Sequence, residues 1–112
     1  MGRMLSFQRL DVYKRAIEFL ALVGDIVGDL PRGHAERADQ LVRAAEAIPR
    51  NIGDGRWSEA DSAKHYKIAR GEAMECAASL DVMKLRKIVS AARYEDGIRL
   101  LEAIVSMLTK MI

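Results

Sequence analysis

The residues of this sequence best suited to bind an anion are six positive side chains between positions 43 and 70. They are Arg43, Arg50, Arg56, Lys64, Lys67 and Arg70. Such a group neutralises phosphates and gives binding that weakens as salt is added. Trp57 and His65 lie in the same stretch and are able to stack on unpaired bases. The pattern predicts a nucleic-acid-binding corner, but acidic residues from Glu46 to Glu75 leave open that the cations are paired internally or simply solvated.

Asn51, Asp54 and Gly55 form a second group of interest within this stretch. As a functional group they would contact a polar ligand or a partner. As a structural group, which we favour, Asn51 and Asp54 would hydrogen-bond backbone groups freed by Pro49 and by the end of the helix, since such side chains readily satisfy local donors and acceptors. We also expect Arg43 and Glu75 to meet as an ion pair that fixes the register of two helices.

Residue patterns for catalysis and for metal binding are missing from the sequence. No serine or cysteine has a base in register, and there is no glycine-rich phosphate loop. The Arg-x(4–6)-His spacing of small helical ribonucleases is not met either, which makes an RNA-cleaving enzyme the least favoured function. The two histidines lack ligand spacing, and the lone Cys76 is expected in the core. We therefore expect no catalytic activity and no cofactor or metal.

Composition favours one soluble helical domain. The chain has 112 residues, enough for a single domain over 1–112, and half of them are apolar, which excludes disorder. Only two prolines and few aromatic residues favour helices over strands. The net charge of +2 does not by itself imply nucleic acid. No apolar run reaches about 20 residues and no ordinary signal peptide is present, so we expect a cytoplasmic protein without membrane contact.

Apolar periodicity predicts four helices, at about 9–29, 36–54, 58–89 and 94–112. The first ends before Pro31 because the residue preceding a proline avoids the α region. A kink or restart is expected at Pro49, and Gly53 and Gly55 allow the chain to leave the second helix. Ser58 and Asp61 resemble a capping box that starts the third. Short connections favour an antiparallel up-down-up-down four-helix bundle.

The apolar surface predicted for the first and fourth helices exceeds what one bundle core absorbs. The second and third helices each have a single inward seam, for example Leu41, Ala45, Ile48 and Ile52 on the second. The first has two: one through Tyr13 and Ile17, the other through Phe19 and Val23. Together they cover about 200° of the helix, whereas a surface helix needs an apolar stripe of about 100°. We therefore expect the chain to assemble with copies of itself.

Three motifs resemble one known family. Residues 40–55 read Q-L-V-R-A-A-E-A-I-P-R-N-I-G-D-G, similar to the family pattern Q-L-R-R-A-A-x-S-I-x-x-N-I-A-E-G. Residues 66–75 resemble L-x-I-A-R-G-S-x-x-E, and residues 7–16 resemble F-x-x-L-x-V-Y-x-x-A. These motifs are typical of the small bacterial 23S rRNA intervening-sequence proteins, also called S23-like. Departures stand at Val42, Ala47, Gly53, Asp54 and Glu72.

The resemblance implies an up-down four-helix bundle that forms a ring-shaped homopentamer with a role at nucleic acid. Accessory proteins of retroelements are similar in architecture, which implies a protein-binding adaptor as an alternative. The gain of an acid at Glu72 and the loss of a basic residue at Val42 weaken the inheritance of a simple phosphate site. From the sequence, we favour a non-catalytic homo-oligomeric scaffold that binds RNA or DNA weakly at the basic corner.

Overall fold

Four helices joined by short turns make up nearly all of the chain. The computed structural model describes residues 2–112. A 3-10 helix (Ser6–Arg9) is followed by α1 (Asp11–Gly28), α2 (Ala35–Trp57), α3 (Ser62–Leu85) and α4 (Ala91–Met111). No strand occurs in this part of the chain, so the predicted all-α class is confirmed. Within residues 2–112, each helix is too short or too polar to cross a lipid bilayer.

One core lies between the four helices. Both α1 and α3 pack against α2 and α4, and in the described part of the chain no Cα atom of α1 lies within 8 Å of one in α3. The single seams predicted for α2 and α3 are buried throughout, and they are Leu41, Ala45, Ile48 and Ile52 on α2 and Tyr66, Ala69, Ala73, Cys76, Leu80 and Met83 on α3. Periodicity therefore predicts the inward face of these two helices correctly.

The two seams of α1 have different environments. Phe19, Val23 and Ile26 of one seam are buried in the core. In the other seam Tyr13 is only half-buried and Ile17 is exposed. In α4 the core takes Leu101 and Leu108 from one apolar seam and Ile104 from a second seam beside it. The outer seam of α1 is therefore only partly covered by this chain, and Ile17 is left exposed.

The second helix is longer than predicted. It was expected to leave the helical path near Gly53 and Gly55, yet it continues to Trp57 and includes Pro49 without a restart. Gly55 is in the helix for a packing reason, because a Cβ on it would lie 2.5 Å from Cε1 of Tyr66. Pro49 is buried between core turns whose packing holds the helix together despite one missing backbone donor.

The third helix is shorter than predicted at both ends. Ser58 caps the end of α2, its N–H donating to the Asp54 carbonyl, so it does not begin the next helix as expected. At the other end, the Lys87 N–H donates to the Lys84 carbonyl and the Ile88 N–H to the Met83 carbonyl, each at 3.0 Å. This is the Schellman pattern, and Lys87 occupies its left-handed position with φ 61°.

The fourth helix begins three residues earlier than predicted, at Ala91. Ser90 is its N-cap, and the Ser90 side chain accepts a hydrogen bond from the Arg93 N–H at 3.2 Å. A capping serine satisfies one of the free donors of the first turn. Arg93 in turn forms an ion pair with Asp29 and donates to the carbonyl of Asp25, which ties the start of α4 to the end of α1.

Candidate nucleic-acid interface

The predicted corner is built where the end of α2 meets the start of α3. Gly55 is buried against the ring of Tyr66, which brings the two helices together at this point. One turn away, Nδ1 of His65 lies 3.4 Å from Oδ1 of Asn51. These two contacts position the exposed side chains of both helix ends on a shared edge.

Asn51 bonds within its own helix as well as across to α3. Its Nδ2 donates to the carbonyl of Ala47 at 2.9 Å. The sequence suggested that Asn51 and Asp54 would satisfy groups freed by Pro49, and the carbonyl that Pro49 leaves without its usual donor is that of Ala45. Asn51 therefore does bond a local carbonyl, but a different one. Asp54 is exposed, and within residues 2–112 its carboxylate makes no hydrogen bond.

Five of the six predicted cations are exposed, and none of the six forms an ion pair in the described residues. Ion pairs in the described residues join Arg15 to Glu18, Arg93 to Asp29 and Arg99 to Asp96, so none involves the predicted cluster. Arg43, Arg50 and Arg56 are exposed on α2, and Lys64 and Lys67 are exposed on the first turns of α3. The interleaved acids do not neutralise these cations by direct pairing.

The structure does not bring all six cations into one patch. Arg50 and Arg56 line the same groove. Arg43 lies two turns before Arg50 on the exposed side of α2. Arg70 instead faces α4, where its Nη1 donates to Oγ1 of Thr109 at 3.2 Å. The usable positive surface is therefore smaller than predicted and lies at the α2–α3 end.

The expected ion pair between Arg43 and Glu75 is wrong. Both side chains are exposed, and no such pair is among the ion pairs that the described chain forms. The contact points between α2 and α3 are at Gly55 and Asn51, which lie on the side of α2 facing α3. On a helix of 3.6 residues per turn, Arg43 points about 80–120° away from both. Helix register here depends on packing and not on this pair.

Two glutamates limit the basic surface along α3. Burial, and secondarily the nearby charge of Glu75, raises the pKa of Glu72. The same acids act on Cys76, whose thiol pKa is raised to about 12, first by burial and then by Glu72 and Glu75. Acidic side chains therefore stand on α3 two and five residues after Arg70.

A groove of about 940 Å³ opens between the 3-10 helix, α1 and the second half of α2. Its apolar lining includes Leu5, Phe7, Tyr13, Ile17, Leu20, Pro49 and Trp57, and its charged lining comprises Glu46, Arg50, Asp54 and Arg56. The rings of Phe7 and Tyr13 meet edge to face with 5.0 Å between centroids. Trp57 is 88% exposed. The groove therefore has an apolar surface with both acidic and basic side chains beside it.

Sequence reasoning missed this groove because it assigned no structure to the residues before the first helix. The 3-10 helix holds its shape partly through Gln8, whose side chain accepts the Leu5 N–H at 2.7 Å. Its Phe7 lies beside Gly53, where an added Cβ would be 3.6 Å from Cδ2 of the ring. Two apolar residues, Leu5 and Phe7, just before an amphipathic helix were the available signal. In residues 2–112 no group of three or more potential ligands is placed to hold a metal ion.

Comparison with known families settles the grouping of this chain. Residues 8–110 match the 23S rRNA-intervening sequence protein family, a match that covers nearly the whole helical chain. The chain belongs to this family. The resemblance inferred from three motifs is thereby confirmed. No curated protein matches this member of the 23S rRNA-intervening sequence protein family.

A solved structure has the same fold as this 23S rRNA-intervening sequence protein. It is the crystal structure of a protein with unknown function from the S23 ribosomal protein family of Bacteroides thetaiotaomicron VPI-5482. The TM-score is 0.81 at 23% sequence identity, over 90% of this chain and 97% of that chain. At this identity the likeness shows the fold and carries no function.

Proposed function

We propose that this chain is a non-catalytic scaffold of the cytoplasm: a single-domain, antiparallel up-down-up-down four-helix bundle that assembles with copies of itself and binds RNA or DNA weakly. The proposal of RNA or DNA binding depends on one observation, which is that the cations at the α2–α3 end are exposed to solvent. Arg50, Arg56, Lys64 and Lys67 are all exposed and none has an acid within ion-pair distance in the described chain. Exposed cations without an internal ion pair are available to phosphates.

Two contacts support the antiparallel arrangement of α3 and α4. Arg70, early in α3, donates to Thr109 near the end of α4. Tyr94, early in α4, donates to Asp81 near the end of α3 at 2.5 Å. Pairs that run in opposite orders along the two helices favour opposite directions. The buried free thiol of Cys76 suits a reducing compartment such as the cytoplasm.

The exposed apolar side chains support self-assembly. Ile17 on the outer seam of α1 is exposed, as are Leu5 and Trp57 of the adjoining groove. Contiguous apolar surface of this kind marks an interaction site. Five subunits in a ring is the number that the family resemblance implies. Light scattering at several concentrations measures the number directly, and a mass that stays at 12.5 kDa throughout would contradict self-assembly.

Removal of the corner cations tests the nucleic-acid proposal. The variant changes Arg50, Arg56, Lys64 and Lys67 to Gln, and the matched control changes Lys14, Arg32, Arg86 and Lys110, which are also exposed. Both variants lose the same charge from a chain of net charge +2. We expect the corner variant to lose binding to a fluorescent structured RNA, and the control to retain most of it, since only the corner cations would contact phosphates.

Equal loss of RNA binding in both variants would show that the attraction depends on net charge and would contradict a corner site. RNA binding that is retained in both variants would also contradict a corner site. The proteins are compared only after light scattering and circular dichroism show unchanged mass and helicity. The labelled RNA should stay intact throughout, and cleavage that disappears in His65→Ala would contradict the non-catalytic part of the proposal.

An adaptor that binds protein is the second candidate. Glu46 and Asp54 lie in the lining of the groove beside Arg50 and Arg56. Acids at this place repel phosphates and suit a protein partner of mixed charge. An assembled wild-type protein without measurable affinity for RNA or DNA at low salt would favour the adaptor over the nucleic-acid scaffold.

A further inference from the structure

The large hydrophobic side chains exposed in residues 2–112 fall on two surfaces, with Ile112 at the C-terminal end apart from both. One surface is the groove, to which Leu5, Ile17 and Trp57 belong and which Met4 adjoins in the chain. The other is a face of α3, defined by Ile68, Met74, Val82 and Leu85. We name this second surface the α3 face. An isolated chain leaves both surfaces in contact with water, at a cost of roughly 25 cal/mol for each Å² of apolar area.

The four hydrophobic side chains of the α3 face lie along one side of the helix. At 100° per residue they fall within about 120° of the helix. Gly71 and Ala78 lie in the middle of this side, both exposed. A Cβ added at Gly71 would meet nothing within 4 Å, so the helix backbone is open to a partner there. On one side of these two small residues lie the most exposed side chains of the face, Leu85 at 82% and Met74 at 55%.

The two surfaces do not overlap. The groove belongs to the 3-10 helix, α1 and α2, and no described residue of α3 lies in its lining. A single chain cannot bring the α3 face into its own groove without unfolding. The two surfaces are therefore available at the same time to two different molecules.

Charge and shape favour the pairing of these two surfaces with each other. The groove is concave and is lined by Glu46 and Asp54 together with Arg50 and Arg56. The α3 face is the outer side of a helix, bordered by Lys64 and Lys67 at one end and carrying Glu75 at its centre. Lys64 and Lys67 are opposite in charge to the two acids of the groove, and Glu75 is opposite in charge to its two arginines, so each surface supplies counter-charges for the other. Like surfaces pair less well, since two helix faces leave both grooves empty.

We propose that the α3 face of one copy of this chain docks into the groove between the 3-10 helix, α1 and α2 of the next copy. This rests on the proposed self-assembly and adds which surfaces meet. Since the two surfaces differ, the contact is heterologous, and repeated contacts of this kind close into a ring or continue as a filament. Each subunit then covers both of its apolar surfaces with neighbours.

Complementation between two variants tests this pairing. The face variant carries Met74→Glu and Leu85→Glu, and the groove variant carries Leu5→Glu and Trp57→Glu. All four side chains are exposed, so the fold of the single chain should be retained. A control with Ala92→Glu and Ser106→Glu, also exposed, adds the same charge outside both surfaces. Circular dichroism and light scattering are recorded for each protein alone and for the two variants mixed in equal amounts.

The proposal expects each variant alone to remain monomeric while the wild type and the control assemble. The mixture should then form a dimer of twice the 12.5 kDa subunit mass, because the intact groove of one variant accepts the intact α3 face of the other. That dimer should not grow further, since its remaining surfaces are both damaged.

A variant that assembles as the wild type does, or a mixture that stays monomeric, would overturn the pairing while leaving self-assembly intact. A monomeric wild type would instead overturn self-assembly, and the pairing with it. The two failures are therefore distinguishable. If a double variant loses helicity, the single changes Met74→Glu and Trp57→Glu give the same comparison.

Discussion

At Gly55 the smallest side chain is required by a neighbouring helix. An added methyl group would overlap the ring of Tyr66, with only 2.5 Å between carbon atoms, and that ring is itself buried. The residue is therefore fixed by the distance between α2 and α3 and not by backbone conformation. Gly24 on α1 differs, because a Cβ there would meet nothing within 4 Å.

We predict that Gly55→Ala lowers the free energy of unfolding by about 1 kcal/mol. Overpacking of a core costs about 1–3 kcal/mol, which exceeds the gain of about 1 kcal/mol in helix propensity. Gly24→Ala, which gains propensity without a clash, should raise the same free energy by up to about 1 kcal/mol. Urea unfolding followed by circular dichroism measures both. A stabilised Gly55→Ala protein would show that Tyr66 moves aside freely.

Cys76 should be unreactive in the folded chain. Burial, with a smaller contribution from Glu72 and Glu75, raises the pKa of its thiol to about 12. Because the folded pKa lies above the unfolded one, this group favours folding below the unfolded pKa of 9.0, and its contribution is lost as the pH rises through the folded pKa. We expect an aromatic disulfide reagent to label Cys76 quickly in urea and only at the rate of unfolding at neutral pH. Fast labelling of the native protein would contradict the burial.

At the scale of the helix, Lys87 occupies a position that usually belongs to glycine. Its φ of 61° is left-handed, and the Schellman hydrogen bonds at the end of α3 depend on it. A side chain with a Cβ pays about 1–2 kcal/mol for this conformation. The turn between α3 and α4 therefore stores a small strain that the surrounding packing maintains.

We predict that Lys87→Gly stabilises the protein by about 0.5–1 kcal/mol, the left-handed strain less the extra chain entropy of glycine. Lys87→Ala keeps the Cβ and removes the charge, so its free energy of unfolding should stay within about 0.5 kcal/mol of the wild type. Thermal melting of the three proteins measures the difference. An equal gain from alanine would assign the effect to the charge of Lys87 and not to its backbone.

The inward faces of the helices are predictable from sequence, whereas their ends depend on more distant residues. Periodicity identifies the buried residues of α2 and α3 because each has one apolar stripe. It fails to choose between two stripes on α1, since the choice depends on which stripe meets the other helices. The expected end of α2 at Gly53 and Gly55 is wrong because Tyr66, eleven residues after Gly55, requires the glycine.

For the candidate site, the sequence predicts which cationic side chains are exposed better than it predicts which of them lie close together. The exposed Arg and Lys side chains of α2 and early α3 are at polar positions of amphipathic helices, so their solvation follows from the pattern. The direction of Arg70 towards Thr109 depends on α4, 39 residues away. The groove depends on how the 3-10 helix folds back against α1 and α2, which no local pattern specifies.

At the scale of the whole molecule, salt should weaken the proposed RNA binding much more than the proposed self-assembly. Assembly through apolar surfaces is weakened little by screening, while phosphate contacts are lost as counterions compete. With about four phosphates neutralised on a single strand, affinity for RNA should fall about 50-fold between about 50 and 200 mM salt. Light scattering and RNA titration in the same buffers measure both. If the mass of the assembly falls together with the RNA affinity as salt is added, charges and not apolar surfaces hold the subunits together.

The position of Trp57 gives the molecule a built-in fluorescent reporter. It is the only tryptophan of the chain, and it is 88% exposed on the groove in the isolated subunit. Indole emission shifts to shorter wavelength when water is excluded from the ring. The emission maximum of unlabelled wild-type protein should therefore move towards the blue as the concentration rises, and it should reveal when the groove becomes occupied.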